Sequence, residues 1–139
     1  MKKQSLTFAI VLSLLLAAGS AFAQTINVAA DIPFGFVVNK HTVPAGHYTL
    51  KSLGPNRMLM LRDSNDQPVA IISANRAESL TPSANTKLIF RRYENRYFLS
   101  QVWMQGEDSG LQLPKSARES EVALDFHPER VEVLAQLSK

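Results

Sequence analysis

Cysteine is absent from this chain. Its absence removes thiol nucleophiles and cysteine metal sites, and it leaves the fold to stand without disulfides. Excess charge is scarce too. The chain has 15 Lys+Arg against 12 Asp+Glu, and setting aside Lys2 and Lys3, which belong to the leader described below, leaves 13 against 12. A nucleic-acid binder normally carries a strongly basic domain, so no nucleic-acid partner is expected. No long apolar run follows residue 18, so no membrane-spanning helix is expected in the mature chain. There is no G-x-S-x-G nucleophile elbow, and no phosphate-cradling loop or dinucleotide fingerprint. No cofactor is therefore expected, and the sequence shows no fixed-period repeat or low-complexity tract.

What is present begins with a leader. Lys2 and Lys3 precede an apolar stretch over residues 6–18, and Ala21-Phe22-Ala23 places small residues where a signal peptidase reads. Residues 1–23 are expected to be a signal peptide cleaved after Ala23. The apolar stretch is shorter than the roughly 20 residues of a spanning helix, and no positive cluster follows it. The expected mature chain, residues 24–139, is one soluble β-rich domain, exported to the periplasm or the exterior. It is near the commonest domain size and long enough to bury a core.

The mature sequence reads as short strands between turns. Ile26, Val28 and Ala30 alternate with polar neighbours, as a half-buried strand does. Pro33 then forces a change of pairing. Phe34, Phe36 and Val38 resume the alternation. Asn39-Lys40 suits a two-residue turn because Asn tolerates positive φ, and Pro44-Ala45-Gly46 suits another. Tyr48 and Leu50 continue the core face. Further strands are predicted over residues 57–62, 68–74, 86–93 and 96–104, with Glu94-Asn95 turning between the last two. Such spacing predicts a mostly β fold, a small antiparallel β-sandwich or barrel.

Two strands are apolar on both faces. In residues 97–103 strict alternation puts Tyr97, Leu99 and Trp103 on one side, with Phe98 and Val102 on the other and Met104 continuing that side. In residues 57–62 Leu59 and Leu61 oppose Met58 and Met60. A strand with water on one side does not look like this. The second faces are expected to lie under another sheet, the C-terminal segment or another protein chain. Near that C-terminus, Ser116 and Glu119 fit a capping box, each side chain bonding the other's free backbone N–H. A short helix is predicted over residues 117–125, seated by Val122 and Phe126. His127-Pro128 stops it. Residues 130–136 read as a final strand, with a continuing helix as the alternative.

Little in the sequence points to catalytic or metal chemistry. His41 and His47 are separated by the Pro44 turn, and no nearby acid completes a ligand set. They read as surface residues, and no metal site is expected. Glu107 and Asp108 sit in a glycine-flanked loop; Glu119, Glu121 and Asp125 read as solvated charges on the helix. No catalytic residue is assigned. The one candidate binding patch is Arg91, Arg92, Tyr93, Arg96 and Tyr97 around a hairpin tip, because Arg and Tyr are enriched at binding hot spots. The competing reading is structural: arginines that guard an edge and tyrosines that cap the core.

Three segments together carry a resemblance: "IPFGFVVNKHTVPAGHYTL" (residues 32–50), "LIFRRYENRYFLSQVW" (residues 88–103) and "GLQLPKSARES" (residues 110–120). They resemble a family of small, uncharacterised, exported bacterial proteins with F-x-V, L-P-A-G-x-Y, F-x-x-Y-x-x-x-Y-F-L-x-x-V-W and L-P-x-S motifs. This chain has Val43 where such proteins often have Leu. The resemblance spans nearly all of the mature chain, implies export and a single intact domain, and adds no catalytic residue. The expected function is an exported, non-enzymatic structural or interaction domain. Its partner would be a second copy or another exported protein meeting an apolar sheet face. The alternative is a small β-barrel binding an apolar or glycan ligand in an interior lined by Met58, Met60, Phe98 and Trp103. A hydrolase with a triad outside any motif ranks third.

Overall fold

The computed structural model describes residues 26–54 and 57–138. The predicted leader, residues 1–23, lies outside them. The chain runs β1 (Asn27–Ile32), β2 (Phe36–Val38), β3 (His41–Val43), β4 (Gly46–Leu53), β5 (Met58–Arg62), β6 (Pro68–Ser73), β7 (Asn75–Glu78), β8 (Lys87–Tyr93), β9 (Arg96–Trp103), β10 (Ser109–Gln112), α1 (Ala117–Asp125), β11 (Glu129–Leu134) and β12 (Gln136–Leu137). One sheet has the order β12-β1-β4-β5-β6. The other runs β11-β8-β9-β10-β7, with the β2–β3 hairpin added beside β9. Every pairing is antiparallel except β2 with β9, which meet in parallel at Val37 and Phe98. Among the described residues the fold is a β-sandwich with one short helix near the C-terminus and no closed barrel.

The predicted alternation places the core. Val28, Ala30 and Ile32, Tyr48 and Leu50, Leu59 and Leu61, and Ala70 and Ile72 face inward from the first sheet. Phe36, Val38, Leu88, Phe90, Leu99 and Val102 meet them from the second. Prolines mark changes of sheet: Pro33 lies where the chain leaves β1 for β2 in the opposite layer, and Pro44 where it returns from β3 to β4. Asn39 adopts φ +56° in the β2–β3 turn, and Glu94 φ +57° in the β8–β9 turn. At both flanks of the sandwich the main chain itself carries over between the layers. Ala74 joins edge strand β6 to edge strand β7, its N–H donating to the Arg57 carbonyl at 3.0 Å. Ala135 joins β11 to β12, donating to the Thr86 carbonyl at 2.9 Å.

Strict alternation fails in β9. The register with β8 shifts between Ile89 and Phe90, which pair with Gln101 and Leu99, so Ser100 is the extra residue of a bulge. Tyr97 and Leu99 face the core. Beyond Ser100 the phase inverts: Val102 and Met104 face inward and Trp103 lies outside the core cluster. Strands β7, β10 and β12 also go unmarked in the sequence. "NRAE" and "SGLQ" lack apolar alternation, and they pair because neighbouring strands hold them in register.

Gly110 in β10 is a fixed point of that register. A β-carbon there would stand 2.5 Å from the Val102 carbonyl oxygen and 2.8 Å from Trp103 Cδ2. A strand carbonyl cannot step aside without breaking pairing. Gly110→Ala is expected to cost about 2–3 kcal/mol, read as a lower denaturant midpoint at unchanged slope.

The doubly apolar strands are covered differently in the two layers. Phe98 and Tyr93, on the outer face of the seven-stranded sheet, lie under Val122 of α1 in a small cluster of their own, with Val37 and Ala123 packed against it. Phe126, expected to help seat the helix, is instead its partly exposed C-cap. Met58, Met60 and Ile71, on the outer face of the five-stranded sheet, have no described element over them, and Ile71 is 50% exposed. Among the described residues no helix is long and apolar enough to cross a membrane.

Candidate functional site

The five residues of the predicted patch all lie on the β8–β9 hairpin, but alternation sends them to two sides. Arg91 and Tyr93 face outward under α1. Arg92 and Tyr97 pair across the strands at the rim of the core, and Arg96 is exposed beside the turn.

Glu119 organises the outward pair. It sits in the first turn of α1 with 2% of its surface exposed. Arg91 grips it bidentately, Nε on one carboxylate oxygen and Nη2 on the other at 3.2 Å, and the Tyr93 hydroxyl donates to it at 3.1 Å. Two N–H donors of one guanidinium fork match the two oxygens of a planar carboxylate, which is why such pairs are geometrically specific. Burial pushes the Tyr93 phenol above its ordinary pKa, and the neighbouring Glu119 charge adds to the rise. The capping box is half formed. Ser116 Oγ accepts from the Glu119 N–H at 3.1 Å, while the Glu119 carboxylate turns to Arg91 and Tyr93. Glu119 is therefore no solvated helix charge. A signal for this was present: Glu119, Val122 and Ala123 fall at i, i+3 and i+4, one face of a helix.

The inner pair serves the rim of the core. Tyr97 stacks on Phe34 with centroids 3.8 Å apart, and Phe34 stands edge-on to Phe90 at 5.0 Å. Arg92 lies over the Tyr97 ring at 5.9 Å and reaches Glu129 of β11 at 3.7 Å. Its Nε is buried without a partner among the described residues. Arg96 has no ion pair among the described residues.

The histidines remain apart. His47 Nδ1 meets Asp31 Oδ1 at 2.7 Å, directly across β4 and β1 on the outer face of the five-stranded sheet. His41 and His127 are exposed elsewhere. No group of three or more His, Asp or Glu converges as a metal-binding set among the described residues. The four side chains proposed to line one interior pocket do not share a space. Met58 and Met60 face outward from one sheet, and Phe98 and Trp103 face outward from the other. Between the sheets, Phe36, Phe90, Leu50, Leu59, Leu61 and Val102 are buried against one another.

A cleft of about 250 Å³ does occur on the outer side of the seven-stranded sheet, between the 79–84 segment, Lys87, Trp103 and Arg130. No protein family, curated protein or solved structure matches this chain.

Proposed function

We propose that this is an exported, non-enzymatic bacterial interaction domain that associates with a second copy of itself through the outer face of its five-stranded sheet. One observation carries the reading. The outer face of the seven-stranded sheet is dressed by α1, whereas on adjacent strands of the other sheet Ile71 is exposed and Met58 and Met60 are half-buried with no described element over them. Met60 and Ile71 are directly opposite each other, next to Lys51. Methionine side chains adapt to varied partners, and an isologous contact needs only one such patch per chain. The polar cluster of Arg91, Tyr93 and Glu119 is consumed in holding the helix, which favours a structural over a catalytic use. Lys2, Lys3, the apolar stretch and Ala21-Phe22-Ala23 support export.

Light scattering on residues 24–139 tests the association. A dimer is expected, and Met60→Thr with Ile71→Glu should return it to monomer. Stability should change little, because solvent-side substitutions usually fall within about 0.5 kcal/mol. A strict monomer at high concentration overturns self-association.

A further inference from the structure

The outer face of the seven-stranded sheet is shared. Helix α1 covers the half around Tyr93 and Phe98. Over the other half the segment after β7 folds back and is zipped to the turn beyond β9. Ser79 N–H donates to the Asp108 carbonyl at 2.8 Å, Ser83 N–H to the Glu107 carbonyl at 2.8 Å, and Gly106 N–H to the Ser83 carbonyl at 2.9 Å. This backbone bonding gives the cleft a built wall. Lys87 and Trp103, directly opposite in the β8–β9 register, line it from the sheet. Ser79, Thr81 and Ser83 line it from the segment, and Arg130 comes from β11.

The charged side chains lining the cleft, Lys87 and Arg130, are both cations. Lys87 Nζ and Arg130 Nη2 both bond the same atom, Glu132 Oε1, each at 3.1 Å, and Arg130 Nε reaches it at 3.3 Å. Two cations thus share one carboxylate. The hydrogen bond from Lys87, with that from Arg130 behind it, holds the Glu132 carboxyl below its usual pKa, as expected beside surplus positive charge. The Lys87 side chain is only 18% exposed. An ammonium carries three N–H donors, and one hydrogen bond to a side chain, that to Glu132, is formed here.

We propose that this cleft binds one unit of an acidic saccharide, with Lys87 and Arg130 on its carboxylate, the Ser and Thr groups on its hydroxyls and the edge of Trp103 against its ring. An indole edge beside hydroxyl groups is the mixed apolar and polar lining that a sugar ring matches, and the surplus of two cations over one carboxylate selects an acidic one. Ligand sites generally combine a concave surface with a few convergent polar groups in this way. The inference rests on the cleft alone and is independent of association through the opposite sheet.

Trp103 is the only tryptophan in the chain, so intrinsic fluorescence reports from the cleft itself. Residues 24–139 would be titrated with an oligogalacturonate, with a neutral gluco-oligosaccharide of equal length, and with sodium sulfate. A saturable fluorescence change with the oligogalacturonate alone, weakened by salt, is the expected result. Lys87→Met and Arg130→Ala should each weaken it about tenfold, the scale of one lost hydrogen bond to a charged group. Arg130 is well exposed, so its variant tests the site even if Lys87→Met fails to fold. An equal response to the neutral sugar, saturation by sulfate at the same concentration, no saturable response, or unchanged affinity in Arg130→Ala would each overturn the proposal.

Discussion

Glu119→Ala is expected to destabilise the protein by about 3–5 kcal/mol, the usual cost of removing one partner of a buried ion pair. Against a typical total stability of about 5–15 kcal/mol, that is a severe loss. The physical reason is what stays behind. Arg91, with only 17% of its side chain exposed, keeps its charge and loses the carboxylate that met two of its donors. Tyr93 loses the acceptor of its buried hydroxyl. Two further variants separate the charge from the shape. Glu119→Gln retains an acceptor for Tyr93 and should be milder than Glu119→Ala. The double variant Arg91→Met with Glu119→Leu removes both charges together and should recover most of the loss, since apolar replacement of a whole buried pair is often neutral or better. Denaturant midpoints for the wild type, Arg91→Met, Glu119→Leu and the double variant form a double-mutant cycle. A double variant as unstable as Glu119→Ala would show that the pair is not the interaction that holds α1. Hydrogen exchange locates the effect: α1 amides should lose protection before those of β8, because the helix has only the small cluster of Tyr93, Phe98 and Val122 beneath it.

The second large effect is expected at Tyr48. Its ring is buried in the main core, edge-on to Phe36 at 5.3 Å, and its hydroxyl donates to the Pro44 carbonyl at 2.6 Å. The Pro44-Ala45-Gly46-His47-Tyr48 sequence is thus a corner that closes on itself, where the chain passes from β3 in one sheet to β4 in the other. Burial raises the phenol's pKa, with the Asp63 charge adding to the rise, so the hydroxyl stays a donor through neutral pH. Tyr48→Ala removes the ring and should cost about 3–5 kcal/mol, as for other large aromatic truncations. Tyr48→Phe keeps the ring and loses one hydrogen bond, a loss of about 1 kcal/mol. Thermal and denaturant unfolding of both variants checks the ratio. Equal losses would place the stabilisation in the hydroxyl rather than the ring, and a stable Tyr48→Ala would remove the corner from its role in the fold.

Features governed by nearby residues were legible in the sequence. The Asn39 and Glu94-Asn95 turns, the helix over Ala117–Asp125 with its Ser116 cap, and the inward positions of Phe36, Val38, Tyr48 and Leu50 follow from chemistry within a few residues. What depends on distant partners was hidden. No glycine or proline marks the bulge at Ser100, so alternation carried Trp103 to the wrong side. Glu119 shares a helix face with Val122 and Ala123, but nothing nearby names its partner, Arg91, 28 residues away. Composition alone makes the hairpin patch one surface, because a string of letters does not show that Arg91 and Tyr93 lie under a helix while Arg92 and Tyr97 close the core rim. Strands β7 and β10 owe their form to each other's edges rather than to their own composition.

The crossings at Ala74 and Ala135 have a mechanical consequence. A sandwich held by side-chain contacts alone can part like two sheets of paper. Here the layers are sewn together by main chain along opposite seams, with further stitches at Pro33 and at the Tyr48 corner. Prying the layers apart must therefore tear strand pairing at a seam as well as empty the core. Separation of the sheets and loss of their hydrogen bonding become one event, and the sandwich yields to load as a unit rather than layer by layer.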